Sequence, residues 1–137
     1  MRLTKDMAEL PQAMALLRHF TEANGISIEV LDDLLVVTDE VLTNCIEHGF
    51  IDKQAHWIDF SIQFDGRVIT LEFLDNGIEF NPLDQAEPDL ERPVDQRPEG
   101  GMGIVLVKAL TSTQHYAYEQ GCNVLQLTRQ TGRGSQV

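Results

Sequence analysis

Apolar residues follow two different periods along this chain, and the switch between them divides it. Between about Met7 and Asn24 they recur at Leu10, Met14, Leu17 and Phe20, the spacing of a helix, and Asn24-Gly25 stops it. A second helix is predicted from about Glu29 to Glu47, with Leu31, Leu34, Thr38, Val41, Leu42 and Cys45 on its buried face. The period then becomes two. Ile58, Phe60, Ile62 and Phe64 alternate with Asp59, Ser61 and Gln63. Asp65-Gly66 reads as a two-residue hairpin loop, which pairs Ile62 with Ile69, Phe60 with Leu71 and Ile58 with Phe73. All six share one face, and the helices are the available cover.

Between Pro82 and Pro98 the pattern disappears: four of the five prolines lie here, with very few apolar residues. A loop of this length is expected to be a lid or disordered. Ile104 to Leu110 begins a third helix, and Tyr116-Ala117-Tyr118 and Val124 to Thr128 read as a hairpin closed across Glu119-Gln120-Gly121. Antiparallel strands with helices on one face predict a two-layer α+β sandwich.

Composition narrows the function. A length of 137 residues and an apolar fraction of 42% suit a single globular domain. No stretch approaches the roughly 18 apolar residues of a membrane span, and MRLTKDMAEL carries charges where a signal peptide needs apolar residues, so the expectation is a cytoplasmic protein away from membranes. Cys45 and Cys122 have neither metal-type spacing nor a disulfide framework. Ten basic against 22 acidic residues leave a net charge of −12, which argues against nucleic acid as a partner.

Three short stretches carry candidate chemistry. In DEVLTNCIEHG, residues Glu40, Asn44, Glu47 and His48 fall in one sector of the second helix, beside its apolar face. Such a stripe can be plain solvated surface. Asn44, however, is a middling helix former inside a strong helix, and an amide oxygen is a hard ligand of the kind Mg²⁺ accepts. Glu40, one turn earlier, can then take a proton from whatever attacks a γ-phosphate. In LEFLDNGIEFNP, Asp75 ends a strand ahead of Asn76-Gly77, either a simple turn or a carboxylate that accepts the amino group of adenine. In EGGMGIVLVKAL, Gly100, Gly101 and Gly103 lead into a helix, either as a loop end or as a cradle of N–H groups for phosphate.

In this order the three stretches resemble the ATP-binding (Bergerat, or GHKL) fold of gyrase, the ninety-kilodalton heat-shock chaperones, sensor histidine kinases and MutL. Glu40-x-x-x-Asn44 through His48 is similar to that superfamily's N-box. Asp75-Asn76-Gly77-Ile78-Glu79-Phe80-Asn81-Pro82 is similar to its first glycine box, and Gly100-Gly101-Met102-Gly103-Ile104 to its second. The wording DxGxxF(D/N)P and EGGxG(I/L)xL(V/I) most resembles bacterial anti-sigma-factor serine/threonine kinases, over about Ala8 to Thr128. Cys45 stands where that family usually has alanine, and Glu79 replaces a frequent second glycine. Only Arg2-Leu3-Thr4 supplies the N-terminal strand whose edge makes dimer contacts in the family, which leaves a homodimer open.

The resemblance implies a single ATP-binding domain over 1–137, a mostly antiparallel sheet with three helices on one face, and an ATP lid at about 82–103. It implies ATP and Mg²⁺ as cofactors, Glu40 as base and Asn44 as the metal ligand. Asp75 reads adenine, and His48, Gly77, Phe80, Gly100, Gly101, Met102, Gly103, Ile104 and Thr128 complete the nucleotide site. Arg92, Arg97 and Lys108 are candidate phosphate contacts that can equally be solvated charges. The implied partners are a sigma factor and an anti-anti-sigma antagonist of the STAS type, phosphorylated on serine or threonine. Two other functions suit the same residues: a nucleotide-gated binding module without transfer, and a detached histidine-kinase ATP-binding domain.

Overall fold

The computed structural model describes residues 1–4, 6–50, 54–84 and 101–132. Helix α1 spans Leu10–Ala23, with a proline in its first turn where a missing N–H costs nothing. It ends as Asn24-Gly25 suggests. Gly25 adopts φ +64°, which lets the Ile26 N–H donate to the Thr21 carbonyl (2.9 Å) and the Gly25 N–H to that of Glu22 (3.3 Å). Helix α2, Ile28–Asn44, starts on Ser27, whose Oγ accepts from the Val30 N–H at 3.3 Å. Its buried face comprises Val30, Leu34, Val37, Thr38, Val41, Leu42 and Asn44, while Leu31 and Cys45 are only partly covered. Beyond Asn44 the chain widens into a π-helical turn, Cys45–Gly49, so the regular helix stops three residues before the expected end.

Five strands form one sheet: β1 Arg2–Thr4, β2 Trp57–Phe64, β3 Val68–Asp75, β4 Thr113–Glu119 and β5 Cys122–Gln130. Their order is β1-β2-β3-β5-β4, and every ladder between described strands is antiparallel. Helix α3, Gly101–Leu110, lies between β3 and β4 in the chain. The three residues of β1 suffice for a strand because Leu3 is buried in the core. Arg2 also clamps β2, with its guanidinium on the Asp59 carboxylate (2.6 and 2.8 Å) and over the Trp57 ring at 4.2 Å.

The β2–β3 hairpin corrects the expected register by two residues. Phe64 faces Ile69, Ile62 faces Leu71, Phe60 faces Phe73, and Ile58 faces Asp75. The loop is Gly66-Arg67 rather than Asp65-Gly66. Asp65 Oδ1 accepts from the N–H groups of Arg67 and Val68 (both 2.8 Å), and Gly66 takes φ +99°. A shift of two conserves the face, so the expected inward set is still the observed one.

That face meets α1, α2 and α3 in a single core containing Leu17, Leu34, Val37, Leu42, Phe60, Phe73, Ile104 and Leu127. Phe60 and Phe73 stack at 5.0 Å, and burial of each such side chain contributes roughly 1.5–3 kcal/mol. Helix α2 packs against both other helices and runs toward the end of β3. At the other end of the sheet, Arg129 Nη1 reaches Asp33 of α2 (2.5 Å) and the Leu110 carbonyl closing α3 (3.0 Å).

Candidate active site

The helix layer and the sheet leave a pocket where α2 gives way to its π-helical turn. Val41, Asn44 and Cys45 line it from α2 and the turn, Phe73 and Asp75 from β3. Phe80 and Pro82 close it from the following loop, and Tyr116, Asn123 and Leu125 from β4 and β5. An apolar wall with a few buried polar groups is what holds a flat, mostly apolar ligand in one orientation.

Asp75 is 5% exposed and held at one oxygen. Its Oδ1 accepts from the Gly77 N–H (2.9 Å) and from Asn123 Nδ2 (3.0 Å), while Oδ2 receives the Cys45 thiol at 3.5 Å. Cys45 is therefore more than a small filler in an alanine position. Burial, then the neighbouring Asp75 carboxylate, pushes its thiol well above the ordinary range. Asn44 is buried at 6% exposure, lines the same pocket, and forms no side-chain hydrogen bond to another described residue. His48, in the π-helical turn, stacks on Phe80 with centroids 5.6 Å apart and so joins this end of α2 to the loop after β3.

One turn back along α2, Glu40 meets the start of α3. A Cβ added at Gly103 would overlap Glu40 Oε2, so the Glu40 carboxylate lies directly against the backbone of residue 103 and keeps this position only while that residue is glycine. The Glu40 carboxyl is raised, first by burial and then by the negative neighbours Asp39 and Glu47. Gly101 and Gly103, expected ahead of the third helix, lie inside the first turn of α3, where N–H groups have no intrahelical partner.

Structure and expectation part at several positions. Ile104 is 1% exposed in the core, packed with Val107, so only its backbone remains for a ligand. Lys108 stands in the last turn of α3, roughly 10 Å along the axis from Gly101, away from the N-terminal turn. Thr128 is misplaced by the sequence reading. It faces Thr70 and Thr113 and shares a 2.5 Å hydrogen bond with Thr113, whereas Asn123 is the β5 residue opposite Asp75. Five strand residues, roughly 17 Å, separate the two positions. Met102 belongs to the first turn of α3 by its backbone. Arg92, Arg97 and Gly100, with most of the expected lid, lie outside the described residues.

Asn123 and Tyr116 were missed, although a signal exists. Asn123 alternates with Leu125 and Leu127 and so points inward, and asparagine is a poor strand residue.

A family model described as the histidine kinase-like ATPase domain matches residues 3–129. The serine/threonine-protein kinase BtrW of Bordetella bronchiseptica is 28% identical over 116 residues, covering 85% of this chain and 82% of that protein. The serine-protein kinase RsbW of Oceanobacillus iheyensis is 30% identical over 91 residues, 63% of this chain and 57% of its own length. RsbW of Bacillus mycoides is 26% identical over 107 residues, 74% of this chain and 65% of its own. The chain thus spans less than two thirds of either RsbW. The solved histidine kinase domain of a blue-light activated histidine kinase from Erythrobacter litoralis EL346 shares the fold, with a TM-score of 0.61 at 13% identity over 91% of this chain and 60% of that one.

Proposed function

This chain belongs to the histidine kinase-like ATPase domain family, and from that premise we propose that it is an ATP-dependent serine/threonine protein kinase of the anti-sigma-factor type. Its substrate is an anti-anti-sigma antagonist, STAS-type, and its other partner a sigma factor. The names of its relatives BtrW and RsbW support transfer to a serine or threonine. The observation that carries the reading is the pairing of two stations near the end of α2: Asn44, with Cys45 of the following turn, beside the Asp75 pocket, and Glu40 beside the first turn of α3.

Adenine enters the pocket with its amino group on Asp75, against the apolar wall of Val41, Phe73 and Leu125. The phosphates then run toward Gly101 and Gly103, whose turn supplies unpaired N–H groups and the positive end of the helix dipole. Asn44 suits Mg²⁺: a buried amide oxygen with no described hydrogen-bond partner is available as its protein ligand. When bound, Mg²⁺ neutralises phosphate charge, which matters for a chain at −12. The substrate hydroxyl oxygen forms a bond to the γ-phosphorus as the bond to the β,γ-bridging oxygen breaks. The hydroxyl proton passes to Glu40, and ADP leaves. A carboxyl raised by burial is better matched to that proton than an exposed one.

The test sets ATP affinity beside transfer of labelled γ-phosphate to a cognate antagonist. Glu40→Gln should bind ATP as well as the wild type or better, because one negative charge is gone. Its transfer should fall by roughly 10²–10⁴, the contribution of a positioned base. Asn44→Ala should lose both. Wild-type transfer by Glu40→Gln removes Glu40 as base; tight ATP binding without transfer to a confirmed partner makes the protein a nucleotide-gated binding module.

A further inference from the structure

A buried side chain that the mechanism does not use lies against Asp75. Asn123 is 5% exposed, and both ends of its amide are fully engaged. Its Nδ2 donates to Asp75 Oδ1 (3.0 Å) and the Ile78 carbonyl (2.8 Å), with the Gly77 carbonyl at 3.5 Å. Its Oδ1 accepts from the Phe80 N–H (3.0 Å) and the Tyr116 hydroxyl (2.5 Å). The orientation is forced. A backbone N–H only donates, and a carboxylate and two carbonyls only accept, so a flipped amide would set donor against donor and acceptor against acceptor. Aspartate has no donor for Asp75, and no apolar residue has either.

The two oxygens of Asp75 are consequently unlike. Oδ1 already accepts two N–H groups, whereas Oδ2 meets only the weak thiol donor of Cys45 among the described residues. We propose that Asn123, anchored by Tyr116, is the positioning residue that sets purine specificity: it occupies Oδ1 and turns Oδ2 toward the exocyclic amino group of the base. The proposal rests on the reading of Asp75 as the adenine contact.

The experiment compares the dissociation constants of ATP and purine riboside triphosphate, the analogue lacking the 6-amino group. The wild type should favour ATP by roughly 10-fold or more, the worth of a hydrogen bond to a charged group. Asn123→Val suits a strand and should bring that ratio near one by weakening ATP alone, with the analogue bound about as well as before. Tyr116→Phe, which keeps the ring and loses one anchor, should lower the ratio several-fold. Asn123→Val that retains the wild-type ratio, or weakens both ligands equally, overturns the proposal. If Asn123→Val does not fold, an unchanged ratio in Tyr116→Phe does so. A wild-type ratio of one overturns the adenine reading of Asp75 as well, so the two failures are distinct.

Discussion

Glu40 ties stability to pH at the level of a single residue. Burial holds its carboxyl above the usual range, with Asp39 and Glu47 adding to the effect. A raised carboxyl pKa means that the folded state binds the proton more tightly than the unfolded chain, so ionisation costs stability. That cost is absent below about pH 4, develops as pH rises, and is complete above the folded pKa. Glu40→Gln should therefore melt higher than the wild type at pH 7, with the advantage shrinking as pH falls toward about 4. Melting curves at a series of pH values check this, and a constant gap would contradict it. Cys45 has an analogous signature in reactivity. With its thiol pushed up by burial and by Asp75, alkylation at neutral pH should be at least roughly 10-fold slower in the folded protein than in urea. Equal rates would mean that the thiol is not buried against Asp75.

Two glycines bear on elements rather than on single contacts, and they act oppositely. At Gly103 a methyl group meets the far end of the flexible Glu40 side chain, which can swing aside at little cost. Alanine also gains about 1 kcal/mol of helix propensity over glycine. Gly103→Ala should fold with nearly unchanged stability and yet lose transfer, because the displaced carboxylate is the proposed base. Loss of stability with intact transfer would reverse that assignment. At Gly66, where nothing lies within 4 Å of an added Cβ, the cost is conformational, since φ is +99°. Gly66→Ala should destabilise by about 1–2 kcal/mol in urea titrations and leave nucleotide binding untouched.

Across the whole molecule, net charge bears on the proposed ligand binding. The net charge of −12 repels a free polyphosphate, so the proposed site depends on a divalent cation. ATP should raise the melting temperature strongly with Mg²⁺ present and little once EDTA removes it. Equal shifts in the two conditions would exclude Asn44 as a metal ligand. No helix among the described residues is long and apolar enough to cross a membrane.

Local rules account for much of this architecture. The helical stripes, the Asn24-Gly25 stop and the inward faces of β2 and β3 follow from periods of 3.6 and two, which need only near neighbours in the chain. Even the register error was harmless to the face, because a slip of two preserves it. The positions of Glu40, Asn44 and Asp75 were likewise legible, each on a short stretch with its own local signal. Tertiary structure alone decided their partners. Asn123 reaches Asp75 across 48 residues, and only the β3–β5 ladder makes that pairing and sends Thr128 to the far end of the sheet. The same holds for the closeness of Gly103 to Glu40, set by how α2 and α3 cross, and for Cys45, whose role depends on an oxygen thirty residues away. Local pattern specifies which face a side chain takes; which atom it meets is a property of long-range packing.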